Sequence, residues 1–330
     1  MANIVWEGRA LPCAPGETVL DCLLRAGVPV ASACRTGACQ TCMLRAVRGR
    51  PPAAAQQGLR DTWIARGLFL ACQCVPEEEL EVARGDALAW VRAVVRRIER
   101  PAPGIARLFL ECETPLGHRA GQFIHLVRED GLLRPYSLAS VPEDPLLELH
   151  VKRLPGGAMS GFLHDALRPG DALTVRGPMG NCFYVKGRPD QALVLGGTGT
   201  GLAPLLGIAR DALARGHRGP IVLHHGASRR ERLYADAALR ALAAEHPTLS
   251  YVPCVPVDDA PGPPVVTGSF DDILLEAVRA RRGCRVFLCG ASERVLRLRK
   301  AVFLAGVSMR DIHADAFFTA PPPASARGGG

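Results

Sequence analysis

Four cysteines, Cys34, Cys39, Cys42 and Cys72, constrain this chain more than any other feature. Their spacing is Cys-x4-Cys-x2-Cys-x29-Cys. A plant-type 2Fe–2S cluster takes three thiolates from one tight loop and the fourth from a distant segment. The stretch ACRTGACQTC supplies the loop, with Gly37 and Ala38 small enough for backbone N–H groups to approach inorganic sulfide. A thioredoxin-like dithiol or half a zinc site would account for Cys39 and Cys42 alone. Neither accounts for Cys34 or for the later FLACQC stretch. Cys72 and Cys74 both stand where the fourth ligand is needed, and spacing leaves the choice open.

The other cysteines, among them Cys13, Cys22, Cys182 and Cys289, are scattered through apolar strings without a disulfide rhythm. That suits a reducing compartment. The start, ANIVWEGRA after Met1, shows no basic region or apolar signal core. The longest uncharged stretch, 191–209, carries five glycines and a proline, which fits strand, loop and helix rather than a membrane span. The expectation is a cytoplasmic protein with no membrane partner. Net charge is +8, but the arginines are interspersed with acidic residues, so no nucleic-acid footprint emerges. A monomer is expected.

With 330 residues there is room for several domains. Residues 1–84 read as a small α+β unit, with a hairpin around Glu7-Gly8 and a helix over Thr18–Ala26 closed by Gly27. Gly85 is the expected hinge. From 91 to 187 short alternating runs recur about every ten residues, the pattern of an antiparallel barrel. From 188 to 318 strands alternate with helices, the pattern of a doubly wound parallel sheet. The tail 319–330 has no periodicity and is expected to be disordered.

Three further motifs carry chemistry. RPYSLAS, Arg134 to Ser140, offers a cation for phosphate, the flat ring of Tyr136 and the Ser137 hydroxyl. LPGGAMSGFLHD places Gly156 and Gly157 at a helix start and Ser160 near its positive end. Their order inside a barrel points to a flavin site. GGTGTGLAP, Gly196 to Pro204, follows the strand ALVL and lets a backbone turn approach a pyrophosphate. It is neither Gly-x-Gly-x-x-Gly, because residue 202 is Leu202, nor a Walker loop.

Together these motifs resemble the ferredoxin–NADP reductase superfamily. The closer likeness is to the three-part reductases that feed bacterial oxygenases, such as the benzoate dioxygenase, phenol hydroxylase and methane monooxygenase reductases. The resemblance runs over residues 3–318. It implies a ferredoxin (β-grasp) domain, an antiparallel FAD barrel and a nucleotide domain, with FAD, a 2Fe–2S cluster and NADH as cofactors. Among the cysteines it selects Cys72 as fourth ligand and leaves Cys74 a buried bystander. It assigns Arg134, Pro135, Tyr136 and Ser137 to the flavin, His150, Val151 and Lys152 to its other edge, and Gly156, Gly157 and Ser160 to its pyrophosphate. Gly197, Thr198 and Gly199 would meet the nicotinamide nucleotide, and Cys289-Gly290 would lie by the nicotinamide. The ending Asp315-Ala316-Phe317 resembles a terminal acidic-x-aromatic whose ring covers the flavin, with Phe318 an adjacent alternative. Ser137, Cys289 and Phe317 are the implied catalytic residues.

The implied activity splits electron pairs from NADH into single electrons for an oxygenase or other one-electron acceptor protein. A deoxysugar-pathway reductase, similar to CDP-6-deoxyglucoseen reductase, and an electron-transfer subunit of a permanent complex are the rival readings. After the strand IVLHHG no carboxylate appears; Ser228 and Arg229 stand where a ribose or a 2′-phosphate would be read. NADH is the expected donor, with NADPH tolerated.

Overall fold

The computed structural model describes residues 3–32, 34–37, 42–85, 89–258 and 261–318. Cys39 and the tail 319–330 lie outside them. The chain divides into two compact units, residues 1–87 and 88–330.

In the first unit, β1 (Asn3–Trp6) and β2 (Arg9–Pro12) form an antiparallel hairpin. Its two turn residues, Glu7 and Gly8, have φ of 49° and 78°. Such primed turns match the right-handed twist of a hairpin. β1 alternates so that Ile4 and Trp6 face the core. Helix α1 (Val19–Arg25) begins at Thr18, whose hydroxyl accepts from the Asp21 N–H at 3.2 Å. It ends in a Schellman motif: Val28 N–H bonds Leu23 O at 2.9 Å and Gly27 N–H bonds Leu24 O at 3.0 Å. Then come β3 (Met43–Arg48), α2 (Asp61–Ala65), β4 (Leu68–Leu70) and β5 (Leu80–Arg84). The sheet order is β2-β1-β5-β3-β4. Val19, Leu20 and Leu23 of α1 pack on Ile4, Phe69 and Leu80 to form its core.

The second unit opens with β6 (Ala89–Ala102), β7 (Ile105–Cys112), β8 (Phe123–Val127), β9 (Leu133–Ser137), β10 (Leu147–Lys152), α3 (Ala158–Asp165) and β11 (Ala172–Met179). These strands run antiparallel in the order β10-β7-β6-β11-β8-β9. A bridge between Leu138 and Leu149 joins the two ends into a barrel. Met159 and Leu163 of α3 pack into its apolar interior.

The chain continues through β12 (Leu193–Thr198), α4 (Leu202–Ala214), β13 (Ile221–Gly226), α5 (Asp236–Glu245), β14 (Leu249–Val255), β15 (Val266–Thr267), α6 (Phe270–Arg279), β16 (Arg285–Ala291), α7 (Ser292–Leu304) and β17 (Ile312–Phe317). All pairings in this sheet are parallel, in the order β15-β14-β13-β12-β16-β17. The central strands are buried on both faces, which is why they read as near-continuous apolar runs. One core lies against α4 and α5 and the other against α6 and α7. Residues 230–232 form a 3-10 turn ahead of α5. Barrel and sheet are joined by a two-pronged ion pair, Arg210 to Asp144, at 2.8 Å for both bonds.

Candidate functional site

In the first unit the cysteine loop is held against the Cys72 turn. Gln73 Nε2 donates to Arg35 O at 2.9 Å and to Cys72 Sγ at 3.5 Å. Thr36 N–H donates to Cys34 Sγ at 3.4 Å. Ala71 N–H bonds the Cys42 carbonyl at 3.2 Å, bringing Cys42 beside Cys72. Gly37 has φ +83°, and a Cβ there would lie 3.2 Å from Gln73 Cγ, so the loop needs glycine at this position. Sulfur at Cys34 and at Cys72 thus receives N–H donors, the outer hydrogen bonding that a 2Fe–2S cluster uses. Cys74 is fully buried, and burial raises its thiol to about 12.

In the second unit the nucleotide loop sits where the sheet order reverses. β12 has β13 on one side and β16 on the other, the crevice where open parallel sheets bind ligands. Gly197 lies opposite Cys289. A Cβ on Gly197 would stand 2.7 Å from Leu205 Cδ1, and one on Gly201 would collide with the Cys289 carbonyl. Gly199 has φ +55° and Gly290 φ +133°. Helix α4 follows at once, with no side chain capping its first turn. A positive helix end beside a glycine cradle fits a pyrophosphate. Gly201 is a requirement the motif reading did not single out; its signal is only that it closes the GTG stretch.

The flavin motifs surround the barrel closure. Arg134 and Pro135 are exposed and Tyr136 is half-buried against the barrel core. The Arg134 guanidinium bonds only a neighbouring carbonyl, Leu133 O at 2.8 Å, among the described contacts, which leaves donors for an anion. Ser137, buried at the end of β9, donates to Asp315 Oδ2 in β17 at 2.6 Å. Burial pushes the Asp315 carboxyl up to about 6, against the pull of that hydrogen bond. In β17 Asp315 pairs directly with Cys289. Residues 178 positions apart thus meet beside the nucleotide loop. Phe317 ends β17 half-buried, whereas Phe318 is 72% exposed.

The other flavin-edge residues divide. Val151 is buried and Lys152 exposed. The His150 ring is committed to the protein: Nε2 is 2.8 Å from Glu148 Oε1 and Nδ1 is 2.7 Å from the Tyr234 hydroxyl. Burial keeps the imidazole below its usual range. Burial also opposes the Glu148 charge, yet the His150 and Arg107 contacts hold this carboxyl at about 2. A neutral ring beside a carboxylate must carry its proton on Nε2, so Nδ1 accepts from Tyr234. The chain of bonds therefore runs from Tyr234, next to the nucleotide sheet, into barrel strand β10. Ser160 is also engaged: its hydroxyl accepts from Leu154 N–H at 3.1 Å and donates to Gly157 O at 3.3 Å, shaping the Gly156-Gly157 turn. Gly157 itself caps α3.

After β13, Ser228 and Arg229 are exposed. Arg230 is spent on Asp258, with Nε to Oδ1 at 2.9 Å.

A flavin-type barrel joined to a doubly wound nucleotide sheet, with a cysteine-loop β-grasp unit in the same chain, defines a pyridine-nucleotide oxidoreductase with flavin and iron–sulfur centres. Sequence models agree: a 2Fe–2S iron–sulfur cluster binding domain matches residues 4–77, an oxidoreductase FAD-binding domain 103–184 and an oxidoreductase NAD-binding domain 195–298. The aromatic O-demethylase reductase subunit of an Amycolatopsis strain is 38% identical, over 94% of this chain and 96% of that one. The reductase component of the naphthalene 1,2-dioxygenase system of Pseudomonas putida is 30% identical, over 94% and 97%. The crystal structure of an Amycolatopsis cytochrome P450 reductase superposes with TM-score 0.65 at 36% identity, covering 96% of this chain and 99% of that one. The chain belongs to the family of three-domain flavin and iron–sulfur reductase components of bacterial oxygenase systems, and it is an NAD(P)H-linked oxidoreductase.

Proposed function

We propose that this protein oxidises NADH in preference to NADPH and delivers single electrons to the oxygenase component of an aromatic-compound oxygenase system. The names of its relatives, an aromatic O-demethylase and a naphthalene dioxygenase system among them, support that acceptor class. The observation that carries the reading is the Ser137–Asp315 bond, which ties the flavin motif to the strand beside Cys289.

When bound, FAD and the cluster supply the conversion of a hydride's electron pair into single electrons. The protein's part is to hold and orient. Arg134 and the Gly156-Gly157 turn hold the flavin phosphates, and Pro135, Tyr136 and Val151 shape the walls of its site. Ser160 and His150 act by bracing that turn and β10, while exposed Lys152 faces the edge of the site. Ser137 presents a hydroxyl whose hydrogen bond Asp315 fixes. Gly197, Thr198, Gly199 and Gly290 leave room for the nucleotide, and Phe317 closes the flavin face. Cys34, Cys39, Cys42 and Cys72 ligate the irons.

The working segments are 1–84, 91–187 and 188–318, and the protein is a cytoplasmic monomer. No helix of the described residues is long and apolar enough to cross a membrane. What supports NADH is that Arg230, beside Arg229, is paired with Asp258 rather than offered to a 2′-phosphate. Rapid-mixing reduction of the flavin by each nucleotide tests this. NADH should be more efficient; an NADPH advantage above about tenfold, or about 1.4 kcal/mol, would make Ser228 and Arg229 a phosphate site instead.

A further inference from the structure

Cys289 has a partner that no motif announces. Its Sγ lies 3.7 Å from Sγ of Cys182, 107 positions earlier, and both residues are 2% exposed. Cys182 stands on the stretch between β11 and β12. That stretch is fixed: a Cβ on Gly121 would lie 2.5 Å from the Cys182 carbonyl, and the neighbouring Phe183 and Tyr184 are buried. The Tyr184 hydroxyl is also within 3.2 Å of His217 Nδ1. Cys289, in contrast, lies within the central strand β16, between Gly197 on one side and Asp315 on the other. Burial raises its thiol well above the usual range, and contact with Cys182 and the Asp315 charge add to the rise. At this separation either sulfur can act as weak donor to the other. A small unbranched side chain has three staggered positions open to it. The one observed turns the Cys289 sulfur toward Cys182, among apolar neighbours such as Leu205 and Phe287.

We propose that Cys182 is a positioning residue for hydride transfer: its thiol holds the Cys289 side chain in one rotamer and so fixes the surface that Cys289 and Gly290 offer to the nicotinamide. This rests on the reading of Cys289 as a nicotinamide-side residue. It assigns a role to the segment leaving the barrel, which lies outside the glycine loop and both flavin motifs.

The test uses the full-length holoprotein with Cys182→Ala, Cys182→Ser, Cys289→Ala and the double alanine variant. One readout is independent of turnover: the infrared S–H stretch of Cys289, isolated as the difference between each protein and its Cys289→Ala counterpart. The other is flavin reduction by NADH and by NADH deuterated at the transferred position. In Cys182→Ala the Cys289 band should move to the position of an unbonded thiol. Hydride transfer should slow about fivefold, the scale of one weak hydrogen bond, with flavin content and Tm retained. Cys182→Ser should restore the rate to within about twofold, since a hydroxyl keeps the bond. The double variant should be no slower than Cys289→Ala. An unmoved S–H band, or effects of the two alanines that simply multiply, would overturn the positioning role while leaving the Cys289 reading intact. A Cys289→Ala protein as fast as the parent would overturn both, and that single variant tells the two failures apart.

Discussion

The cysteine loop of the first unit, proposed to hold the cluster, and the Ser137–Asp315–Cys289 group of the second, proposed to serve hydride transfer, are assembled in opposite ways. The loop takes Cys34, Cys39 and Cys42 from nine consecutive residues, and only Cys72 comes from further along. The second group draws on the end of a barrel strand and on two neighbouring strands of a parallel sheet, up to 178 positions apart. A metal cluster needs thiolates at bonding distance, so its ligands must be rigidly close, and a short loop secures this at little chain-entropy cost. Hydride transfer needs two cofactors brought face to face, so its residues must come from both of the folds that hold them. Local sites leave a spacing in the sequence; assembled ones leave single residues.

If that contrast holds, Cys42→Ser should have the largest and most confined effect. Iron should be lost from the first unit and reduction of a one-electron protein acceptor should stop, while flavin reduction by NADH stays within about twofold, because the ligand set is local. Iron analysis and rapid-mixing kinetics check this together. Loss of rapid flavin reduction in a folded variant would break the contrast.

Gly201→Ala should damage the assembled site instead. Its new methyl meets the Cys289 carbonyl, which belongs to a central strand and cannot yield cheaply. Overpacking of this kind costs about 3 kcal/mol. Thermal unfolding should show the loss in the second unit, with NAD+ affinity weakened and cluster iron unchanged.

Asp315→Asn sharpens the comparison through pH. The Asp315 carboxyl titrates near 6 in the folded chain against 3.8 as its ordinary value, so the native state binds the proton more tightly. Its stabilising contribution is present in full below about pH 4 and falls away as pH rises to about 6. The total is at most about 3 kcal/mol. Denaturant titrations should show this slope between pH 4 and 6 in the parent and its absence in Asp315→Asn. An equal slope in both would place the titration elsewhere.

The smallest effect belongs to the first unit. Glu7 holds φ 49° in the hairpin turn, a conformation asparagine adopts more readily. Glu7→Asn should add about 0.5 kcal/mol to the stability of that unit alone. A shift of the same size in the second unit's unfolding would mean that the two units melt together.

The sequence alone was enough for the order of three folds, because periodicity of two and of 3.6 residues is a local property. Its spacing pointed to the cluster loop, and its missing side chains to a glycine loop whose need for space the packing around Gly197 shows. It did not show that Cys182 reaches Cys289, that Tyr234 donates to His150, or that Gly201 must be glycine because a carbonyl from β16 lies against it. Nor did it show that Ser160 and His150 spend their polar atoms within the protein. Each of these depends on which strands become neighbours. Strand order in a parallel sheet is fixed by packing of the crossover helices on its two faces, and that packing is a property of the whole fold.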